Sequence, residues 1–160
     1  MIRRLVLLAV LLGGAPAWAA SEVCAPDRLD IRGDWGEARF SIEIADDPEE
    51  QRRGLMFRES LPASHGMLFV YPQPGTPSFW MENTFIPLDM LFLTPEGRVQ
   101  HLHSEAVPFD RTPIRGGPGV LAVLEIRGGL AGAIGIGTGD IVRHPAFGTA
   151  AVWPCEGVAE

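Results

Sequence analysis

The chain has 160 residues, with 13 basic side chains against 20 acidic ones and a formal charge of −7. An acidic chain without a basic stripe suits neither nucleic acid nor an anionic membrane surface, so neither is expected as a partner. Every basic residue is Arg, and the absence of Lys removes Schiff-base chemistry, pyridoxal phosphate attachment and the phosphate-loop lysine.

At the start of the chain, Arg3 and Arg4 precede an apolar run from Leu5 to Leu12 and a small-x-small site at Ala17, Trp18 and Ala19. This is the layout of a cleaved export signal over residues 1–19. The run is shorter than the roughly 20 apolar residues that span a bilayer, and no later stretch is both long and uncharged enough, so no transmembrane segment is expected after cleavage. Residues 20–160 then form one domain with a single core, periplasmic or secreted. Cys24 and Cys155 are the only cysteines and lie near the two ends of that segment. In an oxidising compartment they are expected to pair with each other, since their spacing resembles no close C-x-x-C redox or metal motif.

The first clear element is "ARFSIEIA" (38–45), where Phe40, Ile42 and Ile44 alternate with Arg39, Ser41 and Glu43. Period 2 predicts a half-buried strand. "DDPEEQRRGL" follows, with a cap at Asp47, Pro48 at the first helical position, Glu49 and Glu50 in the first turn and Gly54 past the end. One or two helical turns are predicted there. Strand patterns return in "GMLFVY" (66–71), "LDMLFL" (88–93), "RVQHLHSE" (98–105), "VLAVLEI" (120–126) and "DIVRH" (140–144), and "GGLAGAIGI" forms at most another short turn. Between them lie "PQPGTP", "TPEG" and "PIRGGPG", which supply turn chemistry. The fold class expected is all-β, a jelly-roll-like sandwich or barrel with one or two short helices.

Six motifs occur in order: "RGLMFR" (53–58), "GMLF" (66–69), "FWMENT" (79–84), "PLDM" (87–90), "VLE" (123–125) and "GD" (139–140). In these the chain resembles the bacterial and archaeal family catalogued as domain of unknown function 192, over about residues 38–145. The resemblance implies a mainly β, jelly-roll-like, commonly exported fold with no established activity. Glu82 departs from it, because the family's "WMKNT" carries a basic residue there, and a shared anionic ligand would meet the wrong charge. Strand alternation favours a solvent-facing Glu82, with Trp80 on its face and Phe79, Met81 and Asn83 on the other.

"FWMENT" itself raises two readings. In one, Phe79 and Met81 enter the core and Asn83 closes a polar turn at the strand end. In the other, Trp80 is a stacking platform with Asn83 and Thr84 as hydrogen-bonding groups. Asp89 lies in a strand that otherwise reads as buried and needs a partner, for which Arg53 is the first candidate. Glu125 ends the apolar run "VLAVLE", and with Asp89 it could make the acid/base pair that glycoside hydrolysis requires. His101 and His103 share a strand face and could bind metal with His65 or His144, although an exposed polar face accounts for them better. Met56, Met67, Met81 and Met90 could ligate copper(I), but core filling is the ordinary role of Met. No cofactor or metal is therefore expected.

The function expected is a non-catalytic binding module for a small polar molecule such as a sugar, in a cleft of Arg53, Trp80, Asn83, Thr84, Asp89 and Glu125. The alternatives are a carboxylate-based hydrolase using Asp89 and Glu125, or a domain that docks an envelope protein through a β-edge or its aromatic patch.

Overall fold

The computed structural model describes residues 24–155, so the expected export signal lies outside the described residues. Within them the alternating segments form strands β1 (Arg28–Gly33), β2 (Gly36–Ala45), β3 (His65–Gly75), β4 (Ser78–Phe79), β5 (Leu88–Leu93), β6 (Val99–Ala106), β7 (Ile114–Arg115), β8 (Val120–Arg127) and β9 (Ile141–Arg143). Seven of these make one curled sheet in the order β6-β5-β8-β3-β2-β1-β9, and β4 pairs with β7 in a small separate ribbon. The mainly β, barrel-like architecture with short helices expected from the sequence is the one adopted.

Helix α1 (Pro48–Arg53) forms as its end signals require. The Asp47 carboxylate accepts the Glu49 and Glu50 N–H groups at 2.8 Å, and Gly54 ends the helix at φ 47°. The helix sits in the crossover between β2 and β3, the parallel pair of the sheet. A parallel pair needs such a crossover, because a tight hairpin can only join antiparallel strands. Helix α2 (Leu130–Ile134) is the second short helix, and a 3₁₀ segment at Pro145–Ala150 is an addition the sequence did not suggest.

The curled sheet buries both of its faces. Leu68, Leu91, Leu93, Leu124 and Ile126 pack on one side, while Met67, Phe69, Met90, Phe92 and Val123 pack on the other. All six residues of β5 are consequently buried, so this strand reads as a continuous apolar run interrupted only by Asp89. Met67, Met81 and Met90 lie inside the second apolar cluster, as core filling requires.

Both ends of the described chain are tied to the sheet. Cys24 and Cys155 are disulfide-bonded across 131 residues, with Cα atoms 5.6 Å apart. Close by, buried Asp30 accepts from Arg39 and Arg143, and the Arg32 and Arg143 guanidiniums lie 4.1 and 4.5 Å from the centre of the Trp153 ring. These cation–π contacts hold the last segment against β1 and β9.

Candidate functional site

A cavity of about 280 Å³ opens between the C-terminal end of α1 and the second face of the sheet. Its floor comes from β3 and β8, its walls from the residues around β4, and its mouth from α1. Each contribution has a local cause. Gln51 donates to the Ala45 and Val70 carbonyls at 3.3 and 2.9 Å, which fixes α1 to the ends of β2 and β3. Gly54 then turns the chain over Phe69; a Cβ there would meet the ring at 3.0 Å, in a conformation that favours glycine. Phe79 stands edge-on to Phe69 and Phe92, at centroid distances of 5.0 and 5.9 Å, and so sets the position of Trp80.

Of the six candidates, Arg53, Trp80, Thr84 and Glu125 line this cavity. Asn83 lines a wider neighbouring recess of about 550 Å³, which shares Arg52, Arg53, Met56 and Trp80 with the first. Asp89 lines neither.

The expected Arg53–Asp89 pair does not form. Asp89 is fully buried, and its carboxylate accepts three backbone N–H groups instead, from Glu105 at 2.8 Å, Gly129 at 2.9 Å and Ala131 at 2.8 Å. Helix α2 starts at Gly129, which has no side chain to cap it, and Asp89 supplies that cap from β5. Three donors compensate a buried carboxylate as well as an arginine would, which is why the sequence signal of an unpaired acid misled. The acid/base pair with Glu125 does not form either. Met90 is the residue opposite Glu125 and Ile126 is opposite Asp89, so the two carboxyls leave opposite faces of the sheet.

Glu125 is only 4% exposed and has no hydrogen-bond or ion-pair partner among the described residues. No sealed polar side-chain atom among them lacks a partner, so its oxygens are reached from the cavity. Cross-strand neighbours Met67 and Met90 offer it no charge, and burial pushes its pKa up to about 8. The adjacent Tyr71 hydroxyl is pushed up to about 12 by burial and by the Glu125 charge. Arg52 and Arg53 are exposed at the mouth and make no ion pair among the described residues.

Of the two readings of "FWMENT", the core placement holds for Met81, while the Asn83 amide bonds no described backbone group and reaches only the Met56 sulfur at 4.0 Å. The strand ends at Phe79, earlier than alternation implied, and Met81 is fully buried while Trp80 is 49% exposed. Asn83 is exposed in a left-handed turn at φ 55°; its carbonyl accepts the Phe57 N–H at 2.8 Å. Thr84 is buried, and its hydroxyl donates to the Glu82 carbonyl at 3.3 Å. Glu82 pairs with Arg111, so its departure from the family's basic residue is met by a local cation.

The histidines do not converge. His101 and His103 lie along edge strand β6, and His65 contacts Ser64. His144 is buried, accepts the Ala146 N–H at Nδ1 and donates from Nε2 to the Pro26 carbonyl. Burial lowers its pKa, and no group of three His, Cys, Asp or Glu side chains is arranged for metal among the described residues. Sequence reasoning missed Gln51, Arg52 and Tyr71. A signal for Tyr71 existed, because alternation in "GMLFVY" sets it on the face of Met67 and Phe69.

The family model of domain of unknown function 192, described as an uncharacterized ACR, matches residues 30–144. No curated protein matches the chain. A protein of unknown function from Novosphingobium aromaticivorans is 43% identical, over 72% of this chain and 82% of its own, with a TM-score of 0.71. A proposed transcription regulator from Sinorhizobium meliloti is 32% identical over 78% of this chain and 97% of its own, with a TM-score of 0.73.

Proposed function

The chain belongs to the family of domain of unknown function 192, and from its site we propose that it is a non-catalytic module that binds a small polar molecule. One observation carries this reading: Arg53, Trp80, Thr84 and Glu125, drawn from distant parts of the chain, line one cavity. Ligand cavities are concave and mainly apolar, with a few convergent polar groups, and this one combines aromatic walls with a carboxyl floor and an arginine mouth. The opposed directions of Asp89 and Glu125 argue against the two-carboxylate hydrolase. The formal charge of −7 argues against direct DNA binding of the kind a transcription regulator would need. The layout of residues 1–19 supports work in the periplasm or outside the cell.

Thermal unfolding of the purified protein across sugars, small acids and amines tests the reading. A ligand that binds the native state raises the melting temperature, and the rise should vanish in Trp80→Ala. A panel without any shift would remove the proposal.

A second reading, docking of an envelope protein, draws on three exposed phenylalanines. Phe57, Phe85 and Phe109 are 60%, 43% and 61% exposed, and Phe85 contacts the other two rings at 6.1 and 5.5 Å. Phe57 and Phe109 also hold left-handed backbone, uncommon for an aromatic residue. This reading expects Phe85→Ser with Phe109→Ser to leave small-molecule binding unchanged and to abolish complex formation with a defined partner. An unchanged complex would remove it.

A further inference from the structure

The cavity carries more information about its ligand than a cleft of generic polarity would. The carboxyl of a residue only 4% exposed, as Glu125 is, normally has a partner, because burial without one is costly. Asp89, on the opposite face, has three. Glu125 has none among the described residues, and it faces a cavity lined by Phe69, Tyr71, Phe79 and Trp80. Aromatic rings attract cations through their negative faces, and an ammonium is also the natural counter-ion of a carboxylate. At the other end, Arg52 and Arg53 present two guanidiniums that make no ion pair among the described residues; of the two carboxylates in the adjoining recess, Glu82 is paired with Arg111 and Glu49 lies one helical turn back. Guanidiniums at an open mouth are suited to a carboxylate, which they can bind through paired hydrogen bonds.

Opposite charges are thus wanted at the two ends of one small cavity. We propose that its ligand is a small zwitterion, with an ammonium seated among the aromatic rings against Glu125 and a carboxylate held by Arg52 and Arg53. This rests on the reading of the cavity as a ligand site and narrows it away from neutral sugars. A neutral polyol could hydrogen-bond the protonated carboxyl but would leave both guanidiniums without a charged partner. The chemistry also implies a proton balance. The empty site holds Glu125 protonated at neutral pH, and an arriving ammonium favours the carboxylate, so the proton leaves to solvent as the ion pair forms.

The test is isothermal titration at pH 7 in two buffers of different ionisation enthalpy, with 4-aminobutyrate and glycine betaine as zwitterions. Butylamine, butyrate and glucose serve as cation-only, anion-only and neutral probes. A zwitterion should bind at least tenfold more tightly than each single-charge probe and should release about one proton per ligand. Glu125→Gln keeps the shape of the side chain and should abolish the proton release while weakening binding at least tenfold. Arg52→Ala with Arg53→Ala should weaken binding at least tenfold and leave the proton release intact. If glucose or butyrate binds best, or if Glu125→Gln binds the zwitterion as well as the parent does, the zwitterion inference falls and the cavity remains a ligand site. If none of the five probes binds, this inference is overturned, and the broader thermal panel then decides the ligand-site reading on its own.

Discussion

Asp89 and Glu125 stand one register step apart on paired strands β5 and β8 and project from opposite faces of the sheet. Both are buried acids in apolar runs, yet one is fully hydrogen-bonded to backbone and the other is bonded to nothing described. Their sequence contexts are nearly alike. Their roles separate only when register assigns each to a face.

Asp89 is expected to be a stability residue. Asp89→Leu would strand the N–H groups of Glu105, Gly129 and Ala131, each costing about 1–3 kcal/mol if left unpaired in the interior. Asp89→Asn keeps one acceptor oxygen but sets an NH₂ group against the same donors, so it should lose less than the Leu variant but still at least about 1 kcal/mol. Urea unfolding of both variants measures this. A loss below about 0.5 kcal/mol in Asp89→Leu, the size of an ordinary surface substitution, would contradict the capping role.

Glu125 should make stability depend on pH in the direction opposite to an ordinary paired carboxylate. Its folded pKa is about 8 against an ordinary 4.5, so between those values the native state holds a proton that the unfolded chain has lost. Stability from this group is fully present below about 4.5, falls as pH rises, and is gone above about 8, at up to about 1.4 kcal/mol per pH unit. The groups facing it do not titrate in that window: Met67 and Met90 are uncharged, and burial pushes the Tyr71 hydroxyl up to about 12. Glu125→Gln should therefore become progressively more stable than the parent from pH 5 to pH 8. Parallel stability curves for the two proteins would refute the burial argument.

Asn83 tests what the polar half of "FWMENT" is for. Its left-handed backbone, at φ 55°, presents the carbonyl that takes the Phe57 N–H, while its amide reaches only the Met56 sulfur at 4.0 Å. Left-handed backbone costs an ordinary L-residue about 1–2 kcal/mol, and Asn tolerates it better than most side chains. Asn83→Gly should thus lie within about 0.5 kcal/mol of the parent, and Asn83→Val should lose more than about 1 kcal/mol. Equal losses in thermal unfolding would mean that the side chain, not the backbone, holds the turn.

Local signals made some of this legible in advance. Asp47, Pro48 and Gly54 bound α1 because capping depends on residues within one turn, and Phe40 and Ile42 follow period 2 because β2 keeps Glu37, Arg39, Ser41 and Glu43 off the core face. Strand β1 was overlooked: "RLDIRG" offers only Leu29 and Ile31 to the core, and buried Asp30 on its other face is tolerated because Arg39 and Arg143 reach it from other strands. The partner of Asp89 was illegible for the same reason, since three N–H groups from residues 105, 129 and 131 leave no trace in side-chain spacing. At the site, Arg53, Trp80, Thr84 and Glu125 were recoverable from their motifs. Tyr71 was legible from the alternation it shares with Met67 and Phe69, whereas Gln51 and Arg52 became visible only once the crossover set α1 against β3.

Trp80 and Met81 are adjacent yet should respond in opposite ways to truncation. The chain leaves strand geometry after Phe79, so Met81 turns fully into the core and Trp80 stays half exposed at the cavity wall. Met81 also anchors its loop through backbone bonds, donating to the Asp110 carbonyl and accepting from the Phe109 and Thr84 N–H groups. Met81→Ala therefore leaves a void in a fixed frame that cannot collapse easily, and should cost about 2–5 kcal/mol. Trp80→Ala removes a ring that solvent already wets on one side, so its cost should stay below about 2 kcal/mol while ligand-induced stabilisation disappears. Unfolding curves for the two variants, with and without the best ligand of the panel, separate these effects. If Trp80→Ala destabilises as much as Met81→Ala, the indole is a core residue and the aromatic wall of the proposed site is lost with it.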